Sequence, residues 1–283
     1  MSLRWRHVFF AGLVFLVAAT QAPPRRIISL VPALTEMVYA IGAGDRMIAV
    51  SSYDQEPAAV RQLPRVGALL DPDVERIIAM RADLVLLYGS QTDLMTQLKR
   101  SSIPFYEYRH GGLAAVTGTI RALGQRLSRA AAAEQVASEI ERRLATLRRR
   151  TAGRLKPRTL LVFTRERRSL RNIYASGGRG FLHDMLEAAG ATNVLADIAA
   201  ESVQASSELI LARAPEVILE LRAEDIPAPS AVSAEIESWR TLASIPAVKH
   251  HRIYFLPGRS YVVPGPKIAE SAEGIAGVLH PNP

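Results

Sequence analysis

Glu75 and Glu208 stand at matching places in two stretches of similar pattern. Glu75-Arg76-Ile77-Ile78-Ala79 runs into Asp83-Leu84-Val85-Leu86, and Glu208-Leu209-Ile210-Leu211-Ala212 runs into Glu216-Val217-Ile218-Leu219. Each glutamate opens a helix that leads into an apolar strand, so the pair is expected on related outer loops. A carboxylate there gains about 0.3–1 kcal/mol from the helix dipole. Two of them, one on each of two similar units, could also dock onto basic sites of a symmetric partner. Arg165, Arg167, Arg168 and Arg171 follow a strand ending near Phe163; arginines at a strand's carboxyl end either meet a ligand carrying carboxylates or phosphates or lie in solvent. Tyr53, after Val50-Ser51-Ser52, and Tyr174, before Ala175-Ser176-Gly177-Gly178, have the position of aromatics that flank a ligand or pack their own loops.

No residue pattern points to catalysis. A G-x-S-x-G elbow, H-E-x-x-H and a Walker loop are all absent, and Gly177-Gly178-Arg179-Gly180 has the look of a turn into a helix without dinucleotide spacing. His110, His183, His250 and His251 share no short motif with carboxylates, and there is no cysteine, so no catalytic residue and no metal ligand is nominated. A two-lobed transferase using convergent acids and bases stays open as the enzyme alternative, and a module without ligand as a third.

The elements that must position these residues alternate. Arg26 to Leu30 reads as a strand, Thr35-Glu36 open an amphipathic stretch stopped by Gly42 and Gly44, and strands at 47–50, 84–87 and 104–106 alternate with helices at 74–80 and 93–100. Short apolar strands between helices indicate parallel βαβ construction. From Ser128 to Arg150 there is neither Gly nor Pro, and Val136, Ile140, Leu144 and Leu147 recur every three or four residues: one long helix. Thr159 begins a second series, and the echo of Glu36–Ala43 in Asp184–Ala191 precedes the two glutamate segments in both halves. The expectation is an α/β chain of two Rossmann-like lobes joined by one long helix: a lobe at 25–127, the helix at 128–152 and a second lobe at 157–283. In such sheets ligands sit beyond the carboxyl ends of the strands, so two facing lobes make a cleft.

Composition limits the surroundings. At 283 residues, 48% hydrophobic and 22% charged, the chain is globular and long enough for two cores. The net charge of +8 comes without basic strands interleaved with aromatics, and no nucleic-acid partner is expected. Arg4, Arg6 and His7 precede the apolar run Val8–Ala19 and the small stretch Thr20-Gln21-Ala22: a secretory signal peptide at 1–22 in layout, too short for the roughly 20 residues of a spanning helix. A retained membrane anchor is the alternative. With no cysteine after the run, a lipid anchor is excluded, and the exported chain is expected to be a soluble monomer.

Several ordered motifs together resemble one family. Arg26-Ile27-Ile28-Ser29-Leu30-Val31-Pro32-Ala33-Leu34-Thr35-Glu36, Gly42-x-Gly44-Asp45, Ser51-Ser52-Tyr53 with Pro57, Leu63-Pro64-x-Val66-Gly67, Glu75-x-Ile77-x-Ala79, Asn193-Val194 and Glu208-x-x-Leu211-Ala212-Arg213-x-Pro215-Glu216 are similar to the periplasmic substrate-binding proteins of ABC importers for cobalamin, iron–siderophore complexes and haem. The resemblance covers Arg26 to His280. It implies a non-enzymatic periplasmic carrier with no cofactor of its own, holding a metal chelate between its lobes and delivering it to a permease dimer with its ATPase. It also implies that Glu75 and Glu208 are the docking glutamates, and it places Tyr53, Tyr174, Arg165 and Arg168 as candidate ligand contacts. The wording is nearest to the cobalamin-binding type. The tryptophans that flank cobalamin there fall at Leu69 and Ser202, and the tyrosine that follows Val-Gly in haem binders falls at Ala68, so a siderophore-like iron chelate also stays open.

Overall fold

A computed structural model describes residues 22–223 and 229–281. The first half runs β1 (Ile27–Ser29), α1 (Pro32–Ala40), β2 (Met47–Val50), α2 (Val74–Ala79), β3 (Leu84–Tyr88), α3 (Thr92–Arg100), β4 (Phe105–Tyr108) and α4 (Leu113–Arg126). The long helix α5 (Ala130–Thr151) follows. The second half runs β5 (Arg158–Thr164), β6 (Tyr174–Ser176), α6 (Gly180–Ala188), β7 (Thr192–Asn193), β8 (Ser202–Gln204), α7 (Ser207–Arg213), β9 (Val217–Arg222), α8 (Pro229–Ser238), α9 (Pro246–Lys249), β10 (Ile253–Pro257) and α10 (Ile268–Leu279). Of the expected signal peptide, residues 1–21 lie outside the described residues. No described helix is long and apolar enough to cross a membrane.

The first sheet has the order β2-β1-β3-β4, all parallel. The second has the order β10-β9-β5-β6-β8, with β7 paired to β5. Here the parallel expectation needs correcting: β6 runs antiparallel to both β5 and β8. It returns directly from β5 through the loop 165–173, too short for the helical crossover that a parallel neighbour needs.

The strands are buried on both faces, and their alternation sorts the chain into three cores. Ile27, Leu84 and Leu86 face one way, with Leu161 and Leu219 of the second sheet in the same cluster. Ile28, Val85 and Leu87 face the other way, onto Ile77 and Leu98, while Leu160 and Ile218 pack with Trp239. This period of two is the pleat itself. Helix α5 joins the halves: its buried residues Ala133, Ala137, Ile140, Leu144, Leu147 and Thr151 recur every three or four positions, and Ile140, Leu144 and Leu147 share one core with Leu34 of the first half and Ile275 of the second. Helix α4 was obscured in the sequence by Gly118 and Gly124. The second of these is a contact: a Cβ on Gly124 would lie 2.2 Å from the Cβ of Ala133, so the glycine lets α4 and α5 approach closely. Helix α1 begins at Pro32, earlier than Thr35-Glu36 suggests, because proline at the first helical position has φ preset and no amide to satisfy.

Candidate functional site

The carboxyl edge of the first sheet is a row of organised turns. After β2, the buried carboxylate of Asp54 accepts the Ser51 amide at 2.9 Å, and Ser51 Oγ accepts the Tyr53 amide at 3.1 Å. Arg65 Nη1 donates to the carbonyls of Ser51 and Asp54 at 2.9 and 2.8 Å. This clamp holds the turn while the Tyr53 side chain, 65% exposed, projects from it. Next to it, Gly67 (φ 77°) turns so tightly that a Cβ would lie 2.0 Å from the Asp71 carbonyl; a left-handed conformation with no room beside it requires glycine. The loop so made presents Leu69 and Leu70, the latter 92% exposed. Gln91, buried beyond β3, ties the loop down: its Nε2 donates to the Ala68 and Leu69 carbonyls at 3.2 Å, and its Oε1 accepts the Tyr88 amide at 3.0 Å. At the ends of β3 and β4, Tyr88, Tyr108 and His110 form an aromatic group, with His110 5.6 Å from Tyr88 and edge-on to Tyr108 at 5.2 Å. Burial holds the phenols of Tyr88 and Tyr108 above their ordinary range and the His110 imidazole below its own, so all three are neutral at pH 7.

The second half meets this row at both ends. Beside β2, Arg259, which follows β10, donates from Nη2 to the Tyr53 carbonyl at 2.8 Å. Beside β4, the negative charge of Glu201, which precedes β8, adds to the raising of the Tyr108 phenol and partly opposes the lowering of the His110 imidazole. Strands β2 and β4 are the two edges of the first sheet, and β10 and β8 the two edges of the second. Loops of the second half thus approach the carboxyl edge of the first sheet beside both of its edge strands, and the row between them is one wall of the candidate cleft. Three interstrand gaps at about 4.8 Å make its first wall roughly 14 Å wide. That suits a broad ligand more than an ion or a single sugar. The switch point of the strand order, between β1 and β3, falls in the middle of this wall, where ligands of open α/β sheets sit.

The residues read from sequence divide. Tyr53 is on the cleft edge. Tyr174 is half-buried at the start of β6, opposite Thr164 at the carboxyl end of β5, with its ring 6.5 Å from that of Phe163. Arg165 is a correction: its side chain is fully buried, pairing Nη2 with Glu220 and Glu235 at 2.9 Å each, with Nη1 on the Glu166 and Ser169 carbonyls and the Trp239 ring 5.7 Å away. It closes the β5–β6 loop from within and offers nothing to a ligand. Arg168 is exposed in a left-handed conformation (φ 53°), and its backbone amide donates to Glu235 at 3.0 Å. Gly177 and Gly178 serve packing: their amides and that of Arg179 donate to the Glu201, Ile198 and Ala200 carbonyls, and a Cβ on Gly178 would lie 2.0 Å from the Ala196 carbonyl.

Glu75 and Glu208 occupy equivalent places. Asp73 caps α2, accepting the Arg76 amide at 3.0 Å, and Ser206 caps α7, accepting the Leu209 amide at 3.2 Å; each glutamate is the second residue of its helix and exposed. Both helices start on the side of the strand carboxyl ends. Hydrogen bonds from its own backbone and from Ser206 hold Glu208 below the usual carboxylate range.

Behind Tyr53 lies a second charged group, whose members no sequence pattern connects. Glu36 of α1, Asp54 and Glu56 face Lys267 and Arg259, with Lys267 paired to Glu56 across the seam. Glu36 borders a hollow of about 380 Å³ lined also by Tyr39, Pro57 and Pro266. Burial, with the Glu56 charge, pushes Glu36 up to about 7, and burial pushes Asp54, whose Oδ1 has no hydrogen-bond partner, up to about 6. Tyr88, Tyr108, His110, Glu201 and Arg259 were not singled out from the sequence as cleft residues. The one available signal was position: Tyr88 and Tyr108 each end a strand, but reading β4 as stopping at Tyr106 hid the second.

Among described residues no group of three or more His, Asp or Glu could hold a metal ion. The family model described as periplasmic binding protein matches residues 27–260. A vitamin B12-binding protein of Yersinia pseudotuberculosis serotype O:1b (strain IP 31758) is 29% identical over 214 residues, which cover 74% of this chain and 75% of that protein. Among solved structures, the periplasmic vitamin B12-binding protein of Vibrio cholerae superposes with a TM-score of 0.76 at 23% identity, covering 92% of this chain and 98% of that one. A periplasmic heme-binding protein from Pseudomonas aeruginosa superposes with a TM-score of 0.79 at 21% identity, covering 92% and 94%.

Proposed function

Because this chain belongs to the periplasmic binding protein family, we propose that it captures a metal-chelate nutrient, cobalamin first, in the cleft between its lobes and presents it to an ABC importer. The cleft wall carries the reading. It spans the carboxyl edge of the first sheet, is lined by neutral aromatics, and is met beside β2 by Arg259 of the second lobe. Such a surface binds by covering apolar and aromatic area, with few polar anchors. The choice of cobalamin rests on the 29% identical vitamin B12-binding protein. Leu69 and Ser202 stand where that ligand type is flanked by indoles, so Tyr53, Tyr88 and Tyr108 take the stacking role here. A ferric siderophore or haem fits the same wall and is the second reading.

The perturbed carboxylates do not favour an enzyme. Asp54 is committed to its turn, and Glu36 lies on the seam behind the cleft. Glu75 and Glu208, at equivalent helix starts, are the groups we assign to permease docking, with an ATPase driving release on the far side.

Titration of the purified protein with cobalamin, haemin and a ferric siderophore, followed by ligand absorbance, tests the ligand. Micromolar or tighter binding of cobalamin is expected, weakened about tenfold in Tyr88→Ala, which corresponds to about 1.4 kcal/mol. No cobalamin binding at micromolar concentration ends that choice and passes the proposal to whichever chelate binds. Turnover of an activated sugar or nucleotide would replace it with a transferase. Glu75→Arg combined with Glu208→Arg should abolish uptake while leaving the titration unchanged; unchanged uptake removes the docking role.

A further inference from the structure

The turn between α5 and β5 gathers more cations than the fold accounts for. Gly153 (φ 80°) reverses the chain after the helix, and three adjoining hollows surround the turn: Arg148 and Lys156 line one, Arg150 and Arg154 a second, and Arg154, Lys156 and Arg252 a third of about 700 Å³. None of these five side chains makes an ion pair or hydrogen bond among the described residues. The acids bordering the same hollows are engaged elsewhere: Asp184 accepts the Leu113 amide, Glu187 the Asn193 amide and Glu216 the Arg158 amide, while Glu273 is bidentate to Arg143. At the apex, between Arg154 and Lys156, Leu155 is 93% exposed. The C-terminal dipole of α5 accounts for Arg148 and Arg150. It does not reach Arg154, Lys156 or Arg252, and it gives no reason for a bare leucine at the tip. The turn lies at the amino ends of β5, β9 and β10, whereas α7 starts with Glu208 on the side of the carboxyl ends; the two surfaces point away from each other.

We propose that this turn is a docking surface for anionic phospholipid bilayers, with the cations meeting the headgroups and Leu155 entering the acyl boundary. A leucine between two basic residues at a turn apex satisfies both layers of an interface, because the long basic side chains reach back to phosphate while the apolar tip goes deeper. Attraction to such a surface grows with each basic residue held close to it and weakens with salt. In this arrangement the start of α7, with Glu208, faces away from the lipid.

Co-sedimentation of the full chain with vesicles of phosphatidylcholine alone, or containing about 30 mol% phosphatidylglycerol, tests the proposal. The run at residues 8–19 contributes equally in every variant and cancels. Arg148→Glu/Arg154→Glu/Lys156→Glu should lose at least about tenfold in phosphatidylglycerol-dependent binding, whereas Arg61→Glu/Arg100→Glu/Arg126→Glu, with the same net charge on other surfaces, should change it less than about twofold. Leu155→Ser, which leaves the charge and the core untouched, should lower what survives at about 0.5 M salt by about threefold. Equal losses in both triple variants would reduce the effect to overall charge and overturn the proposal. So would the absence of a phosphatidylglycerol-dependent component, or a turn variant that keeps its vesicle binding but loses binding to polyglutamate.

Discussion

Residues 148–158 and 165–171 are both arginine-rich, and their fates are opposite. In the first, the side chains of Arg148, Arg150, Arg154 and Lys156 stay exposed and form no ion pair among the described residues. In the second, Arg165 is wholly inside, because β9 beside it brings in Glu220, opposite Val162 in the sheet register, and α8 brings in Glu235. Glu220 is itself almost fully buried and also receives the Trp239 indole and Arg222. The lesson is that a basic run has no fate of its own. What decides is whether a carboxylate distant in sequence is delivered to the same point, since an unpaired guanidinium cannot be buried and a paired one need not be exposed.

That contrast can be broken most forcefully at Arg165. Arg165→Ala leaves Glu220 buried with its main partner gone and is expected to cost about 3–5 kcal/mol in urea unfolding; a loss below about 1 kcal/mol would mean that the cluster is not the closed one described. The seam carboxylates sharpen the comparison from the acidic side. Glu36 titrates near 7 when folded and near 4.5 when unfolded, so between these values the folded state holds more protons and stability falls as pH rises. Glu36→Gln should remove that slope, changing the difference between pH 4 and pH 8 by an amount on the order of 3 kcal/mol. Unfolding free energies of both proteins across this range check the sign, and parallel curves would refute the shift. Arg168→Ala should cost less than about 0.5 kcal/mol, because its amide, not its side chain, meets Glu235. The smallest effect is expected at Arg149, whose side chain donates to Thr146 Oγ1: Arg149→Ala should shift thermal unfolding by no more than about 0.5 kcal/mol equivalent.

The fold was legible where period and punctuation agree. Helix α5 was read to within two residues at each end because its apolar spacing is unbroken, and the matching glutamate segments were visible because both pair an amphipathic turn with an apolar strand. Helix α4 and strand β6 were not. Two glycines, of which Gly124 serves close packing, dilute the signal of α4, and β6 is three residues held by neighbours on both sides. Of the candidate site, the position of Tyr53 just beyond a strand's carboxyl end was legible. Arg165 was placed in the wrong surroundings because its partners lie 55 and 70 residues away. The aromatic wall of Tyr88, Tyr108 and His110 exists only once β3 and β4 are side by side, a fact of pairing that no single segment carries.

The sharing of one core by both halves has a further consequence for cut chains. A protease nick between Gly153 and Lys156 would sever the only backbone link after α5, yet Ile140, Leu144 and Leu147 would still be embedded among side chains of the other fragment. The two pieces would stay together as a noncovalent complex and separate only by exposing that core. In this molecule, continuity of the chain between the lobes matters less than continuity of their interior.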